Sequence, residues 1–387
     1  MKRIKLAERP DWKKQAESLG FGFHTMYGKP YWDETRAYIF TLEQIERGLE
    51  DPATELNAMC LDAVDFVIHR EEWLEKLAIP EKYWDYIKNS WTEAAPSLYG
   101  RFDFAYDGIN PVKLLEFNAD TPTSLYETGF FQWNWLEEQK ARGVVHTDAD
   151  QFNIVQDKLI ERLAVIFDEG CHLHFACCKD TDEDRATVRY IEDCAAQSGL
   201  LNHFVYIEDI GIDKTGQLVD KDGFVIDNLF KLYPYEDMFR EPFGPSLINA
   251  KVTLLEPPWK ALLSNKGLLP LLWSLYPKHP YLLPTFFEEE VDADFINGPH
   301  VIKPLFSREG ANIEVRIPGQ EPIIEEGPYG EEGRVVQAYN PLPQFDDDYA
   351  VIGAWIIGSE AAGIGIREDK SLVTKDLSRF VPHLILD

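Results

Sequence analysis

The chain has 387 residues, of which 67 are Asp or Glu and 38 are Lys or Arg, so it carries a formal charge of −29. That acidic excess argues against nucleic acid or an anionic membrane surface as a partner and is compatible with a cationic substrate. A 45% hydrophobic content supplies core for two or three structural units, and five cysteines without a CxxC pair give neither a disulfide framework nor a zinc site.

The N-terminus, MKRIKLAERPDW, has no long apolar run behind its basic residues, and no later stretch reaches membrane-spanning length. A cytoplasmic protein is expected. Residues 1–40 are rich in aromatics and glycines and read as an irregular segment packed onto a larger body. Thr41 to Gln44 has capping-box form and starts a helix. Asp51-Pro52 reads as a restart, with Asp as N-cap and Pro at the first position. Leu56, Met59, Cys60, Ala63 and Val67 give that helix one apolar face. Tyr83–Trp91 makes another short helix.

Arg101-Phe-Asp-Phe-Ala-Tyr106 and Val112-Lys-Leu-Leu-Glu-Phe-Asn118 flank a turn-rich Asp107-Gly-Ile-Asn-Pro111, which predicts a β-hairpin. With the turn at Gly108–Pro111, Asp103 falls opposite Glu116 and Arg101 opposite Asn118, all on one face. Like charges opposite each other repel, so Asp103 and Glu116 call for a cation. Two carboxylates and an amide suit Mg²⁺. Beyond the hairpin, Thr121, Thr123 and Ser124 offer hydroxyls where a helix over 124–140 begins, either as an ordinary cap or as an anion site.

From about residue 151 the pattern changes. A helix over 152–167, a strand over 172–178, a helix over 183–198 and strands over 203–207 and 225–232 alternate as in an α/β unit with a largely parallel sheet. The loop Lys179-Asp-Thr-Asp-Glu-Asp-Arg185 joins a strand to a helix, where open α/β sheets place ligands. Its acidic residues, Glu183 and Asp184 among them, cap the helix or receive an amine. From residue 251 a third unit follows. Lys266 precedes a helix through Leu269 and Leu272. Lys303 sits in the apolar strand Val301–Leu305, an unusual place for a lysine without a charged partner. Ser307-Arg-Glu-Gly-Ala-Asn312 is a small-residue loop suited to phosphate, and Glu325–Gly333 is an acidic loop. Val335–Tyr339 reads as a buried strand whose edge can hydrogen-bond an adenine. A hairpin over 349–367 ends on Arg367. There is neither a Walker A sequence nor a GxGxxG. The expected units are thus 1–150, 151–250 and 251–387.

Arg-x-Asp followed by Glu-x-Asn, Pro and Thr resembles the metal-binding end of ATP-grasp ligases. In most of those enzymes the lysines come first; here Glu116 and Asn118 precede Lys266 and Lys303. That order, with the words SNK, VIKP, SREGAN and GIGIRED, is similar to the synthetase domain of the glutathionylspermidine synthase family. The resemblance implies a mixed α+β and α/β fold: a circularly permuted ATP-grasp with an inserted Rossmann-like pre-ATP-grasp unit. It implies ATP and Mg²⁺, held by Asp103, Glu116 and Asn118. It gives Arg101 the transferring phosphoryl group and Lys266 and Lys303 the ATP phosphates. Gly310, Ala311 and Asn312 would lie beside these, Gln337, Ala338 and Tyr339 near adenine, and Leu372, Val373 and Thr374 would complete the nucleotide pocket. A glutathione-like peptide would lie near Thr121, Thr123 and Arg367, and a polyamine-like amine near Glu183 and Asp184. The family carries serines where Thr121 and Thr123 stand, so the added methyls bear on the peptide site. Bifunctional members also carry an amidase domain, for which no residues remain here. The implied activity is formation of an amide through an acyl phosphate; the other readings are a ligase for a different acid and amine, or a nucleotide-binding protein without ligase activity.

Overall fold

The computed structural model describes residues 1–179, 181–375 and 377–387. One antiparallel sheet joins two hairpins that are far apart in sequence. Strands Tyr99–Ala105 and Lys113–Asn118 form the first, Asp348–Ile357 and Glu360–Asp369 the second. Tyr99–Ala105 runs beside Asp348–Ile357, and Arg379–Val381 closes the far side. Alternation decides which face is which. Phe102, Phe104, Phe117, Ile352, Ala354, Ile364 and Ile366 are all buried in one core, together with the apolar face of helix Asp51–Val67. Burial of each large apolar side chain contributes roughly 1.5–3 kcal/mol. A slip of one residue would bring Asp103 and Glu116 into that core.

A second antiparallel sheet runs in the order Thr285–Phe287, Arg334–Ala338, His300–Pro304, Glu314–Arg316, Ile323–Ile324. Arg334–Ala338 is therefore an interior strand, flanked on both sides, and its middle residues are buried as expected for Val335–Tyr339. A third sheet, Thr253–Leu255, Asn228–Leu232, His172–Cys177, Leu201–Tyr206, is parallel throughout. Helix Val155–Ile166, which leads into His172–Cys177, and helix Asp182–Gln197, the crossover from His172–Cys177 to Leu201–Tyr206, follow the alternation legible in the sequence. Asp180 of the acidic loop lies outside the described residues.

The first 40 residues are more regular than their composition predicts. They hold strand Lys2–Lys5, helix Trp12–Ser18 and strand Arg36–Phe40, the last of which pairs with His383–Ile385 near the other end of the chain. Thr41 caps its helix as expected: its hydroxyl accepts from Gln44 N–H at 3.2 Å, and the Gln44 amide oxygen accepts from Thr41 N–H at 3.1 Å. The restart at Asp51-Pro52 is absent. Helix Leu42–Ile45 passes through a π-helical turn, Glu46–Glu50, and straight into Asp51–Val67. A proline inside a helix clashes with the carbonyl one turn back, and the wider turn just before Pro52 gives room at that place. Among the described residues no helix is long and apolar enough to cross a membrane.

Candidate active site

The hairpin has the register that alternation predicts. Arg101 stands opposite Asn118, and Asp103 opposite Glu116. The pairing shifts between Asp103 and Phe104, so that Phe104 faces Leu114 and Leu115 is the extra residue. Pairing ends at Ala105–Lys113, so the connection, residues 106–112, is longer than the four residues expected, and the bulge keeps the expected register at the polar end. Bulges of this kind re-aim side chains beside functional sites. On the neighbouring strand Gly353 lies opposite Asp103. A Cβ there would come within 2.8 Å of Arg101 Cδ, so glycine leaves the space in which the arginine lies flat.

Protein cations meet both carboxylates. Arg101 makes a two-pronged pair with Asp103, Nε to Oδ1 at 2.7 Å and Nη2 to Oδ2 at 3.0 Å, and donates from Nη1 to the Thr123 carbonyl at 2.6 Å. Arg367 reaches Asp103 Oδ2 at 3.3 Å. Lys266 Nζ lies 3.4 Å from Glu116 Oε2 and donates to the Ser307 carbonyl at 2.8 Å. Desolvation works against a charged Glu116, but Lys266, Lys303, Arg101 and Arg367 outweigh it and hold its carboxyl at about 2. Desolvation also opposes the charge on Arg101, and Asp103 reverses this, raising its pKa.

Lys303 extends from its strand to the hairpin. Its Nζ donates to the Leu115 carbonyl and to Gln337 Oε1, both at 2.8 Å. Burial pulls its ammonium down to about 8, with Glu116 pulling the other way and Lys266 adding to the fall. The lysine strand, the hairpin and the 301–374 segments thereby line an open cleft with a cavity volume of about 170 Å³. Its lining takes in Arg101, Asp103, Glu116, Asn118, Thr121, Thr123, Lys266, Lys303, Gly310, Gln337, Ala338, Tyr339, Arg367, Leu372, Val373 and Thr374.

Other expected residues are placed differently. Ala311 is absent from that lining, and the Asn312 amide is turned to the acidic loop, bonding Gly327 O at 2.9 Å and Tyr329 N–H at 2.8 Å. The N–H groups of Ala338 and Tyr339 donate to Pro284 O and Pro299 O. A base lying there would therefore meet carbonyls and side chains. Glu183 and Asp184 open helix Asp182–Gln197 away from the cleft lining, near enough to Tyr31 and Tyr99 respectively to help raise those phenols, after burial, well above the usual range.

Three features escape a reading of the sequence. Arg308 bridges the glycine loop to the hairpin side of the cleft, donating to Thr121 Oγ1 at 2.6 Å and Glu236 Oε1 at 2.8 Å. Asp120 forms a fully buried pair with Lys231 at 2.6 Å and also accepts the Tyr235 N–H at 2.9 Å. Tyr31 donates to the buried Glu127 at 2.5 Å. Lys231 carried the same signal as Lys303, a lysine in an apolar strand.

The donor set fits a hard divalent cation. Asn118 Nδ2 lies 3.3 Å from Asp103 Oδ2 and 3.4 Å from Glu116 Oε1, between the two carboxylates. Turning that amide over would present its oxygen there instead. Two carboxylates and one amide oxygen are ligands that Mg²⁺ accepts, with water and phosphate filling the remaining positions. Glu116, held near 2, is charged at neutral pH.

The family model for the glutathionylspermidine synthase preATP-grasp matches residues 3–386. A Haemophilus influenzae protein named as an acid–amine ligase is 39% identical over 401 residues, covering 99% of each chain. Trypanothione synthetase of Crithidia fasciculata is 29% identical across 83% of this chain and 52% of its own length. The bifunctional glutathionylspermidine synthetase/amidase of Escherichia coli is 26% identical across 97% of this chain and 63% of its own. The chain thus spans about half to two thirds of those two longer relatives. Among solved structures, a glutathione synthetase-like effector from Globodera pallida superposes with a TM-score of 0.56 at 11% identity, covering 90% of this chain and 88% of that one. The two share a mixed α/β fold.

Proposed function

The chain belongs to the glutathionylspermidine synthase family, and from that membership we propose that it is an ATP-dependent ligase joining a carboxylate to an amine through an acyl phosphate. The observation that carries this reading is the convergence of Arg101, Arg367, Lys266 and Lys303 on two facing carboxylates in one cleft. We read the order of the parts, Glu116 and Asn118 ahead of the lysines, as a circularly permuted ATP-grasp. The parallel sheet is then its Rossmann-like pre-ATP-grasp unit, and the division is 1–150, 151–250 and 251–387. A glutathione-like thiol peptide is the proposed acid and a polyamine-like amine its partner. The full-length relative named only by reaction class favours a second version of the same chemistry with another acid and amine.

A free carboxylate is a poor electrophile. Its oxygen attacks the γ-phosphorus of ATP, ADP leaves, and the carbonyl becomes reactive. The amine, having lost a proton, then attacks that carbonyl, and phosphate departs with the original carboxylate oxygen. Asp103, Glu116 and Asn118 would hold Mg²⁺, which neutralises phosphate charge when bound. Lys266 and Lys303 draw in the phosphates, and Arg101, fixed by Asp103 and the Thr123 carbonyl, faces the phosphoryl group in transit. Cations already in place need no reorganisation as charge moves, and this is the larger part of their effect. The loop over 325–333, tied to the glycine loop through Asn312, closes over the cleft and keeps water from the acyl phosphate. Labelling the substrate carboxylate with oxygen-18 tests the route: one labelled oxygen should appear in the released phosphate. Unlabelled phosphate alongside the amide product would rule out the acyl phosphate.

The lysine gives a pH prediction. Free Lys303 loses its charge as pH rises through about 8, so MgATP affinity should fall over that step. Lys303→Met should bind more weakly at pH 7 and lack the step in titration calorimetry. Stability moves the opposite way. With its folded pKa below the ordinary value of 10.5, the unfolded chain binds more protons between about 8 and 10.5, and unfolding becomes harder as pH rises through that window.

A further inference from the structure

Beneath the two arginines lies a buried polar group that the proposed chemistry does not use. Ser124 follows Thr123, the residue whose carbonyl receives Arg101. Its backbone is left-handed, with φ of 69°. That region disfavours residues with a Cβ, so the turn is strained. Something must retain it. The Ser124 hydroxyl lies 3.1 Å from the Tyr31 hydroxyl, which donates onward to Glu127 at 2.5 Å. From the other side, Thr128 donates to the Ser124 carbonyl through its hydroxyl at 2.8 Å and its N–H at 3.2 Å.

All of these groups are enclosed: Tyr31 is 3% exposed, Ser124 4% and Glu127 1%. Glu127 opens a π-helical turn, Glu127–Phe131, of a kind that recurs at functional sites. A buried carboxylate bonded to a phenol is an expensive way to fill a core, and an apolar pair of the same shape would pack there without that cost. Tyr31 comes from the first 40 residues, so the contact spans 96 positions. It ties that segment to the wall of the cleft.

We infer that Tyr31 and Glu127 are positioning residues for the proposed reaction, holding Ser124 in its left-handed turn so that the Thr123 carbonyl stays on Arg101 and Thr121 and Thr123 stay on the cleft wall. The activity readout of this inference rests on the ligase reading; its exchange readout does not. The strain at Ser124 makes a specific test available, because glycine adopts that φ freely.

Tyr31→Phe removes one oxygen and leaves the ring packed against Phe21 and Phe23. It should lower kcat about tenfold or more, the scale at which misplaced groups slow reactions, with the Kd for MgATP unchanged. Amide hydrogen exchange across residues 121–126, read by mass spectrometry, should quicken. Adding Ser124→Gly to Tyr31→Phe should restore both. Ser124→Ala, which keeps the Cβ and loses the hydroxyl, should reproduce the Tyr31→Phe defect and serves if that variant does not fold. Unchanged exchange in Tyr31→Phe and Ser124→Ala would overturn the inference. So would faster exchange that Ser124→Gly leaves uncorrected, since Tyr31 would then act by another route. A wild-type protein without turnover would remove the ligase reading, while the exchange result would still decide this one.

Discussion

Arg101→Ala should lower the rate of ligation by roughly 10²- to 10³-fold, the loss seen when one preorganised donor to a developing charge is removed. MgATP binding should change little, because Lys266 and Lys303 remain. The geometry adds a second consequence. Arg101 and Asp103 are both 5% exposed, and breaking a buried pair costs roughly 3–5 kcal/mol when it leaves a charge alone. Arg367 stays 3.3 Å from Asp103, so the loss of stability should fall below that range. Arg101→Lys keeps a charge but not the fork that grips Asp103 on one side and the Thr123 carbonyl on the other. It should recover stability more than rate. Single-turnover kinetics beside thermal denaturation separate the two effects; a full rate in Arg101→Ala would remove the arginine from the chemistry.

The second large effect belongs to a pair outside the reacting groups. Lys231 and Asp120 are both fully buried, and the lysine also donates to the Tyr233 carbonyl at 2.9 Å. Asp120 lies between Asn118 and Thr121, so the pair fastens the cleft wall to the parallel sheet. Lys231→Met leaves a buried carboxylate unpaired and should cost roughly 3–5 kcal/mol. Burial already pushes the Asp120 carboxyl upward, with Lys231 restraining it. Without the lysine the folded pKa rises further, the folded state binds the extra proton, and the deficit should shrink as pH falls. Asp120→Leu combined with Lys231→Met should regain most of the stability, since apolar replacements of such pairs are often neutral. A double variant as unstable as the single would show that the lysine acts through some other contact.

The parts of the site legible in sequence are those where a local pattern carries the information. Alternation with period two placed Asp103, Glu116, Arg101 and Asn118 on one face, and the core phenylalanines on the other face left no competing register. Lys303 stood out because a charge in an apolar strand needs a partner, and its partners are the Leu115 carbonyl and Gln337. Lys231 obeys the same rule, and Asp120 answers it. Contacts without a period were not legible. Nothing near Tyr31 points to Glu127, and nothing in the small-residue loop points Arg308 at Thr121 and Glu236. The apolar run Val335–Tyr339 is legible as a buried strand, but a run of this kind does not tell which strands flank it.

The central claim is that this cleft makes an amide bond at the expense of ATP. It is tested most directly by presenting the wild-type protein, MgATP and a panel of thiol peptides and amino acids against a panel of polyamines and simple amines. ADP release and the mass of the product are followed together. The account predicts ADP release that requires both an acid and an amine, with a product lighter than their sum by one water. MgATP binding with no ADP release for any pair would contradict it, and would leave a nucleotide-binding protein that has the site without the ligation.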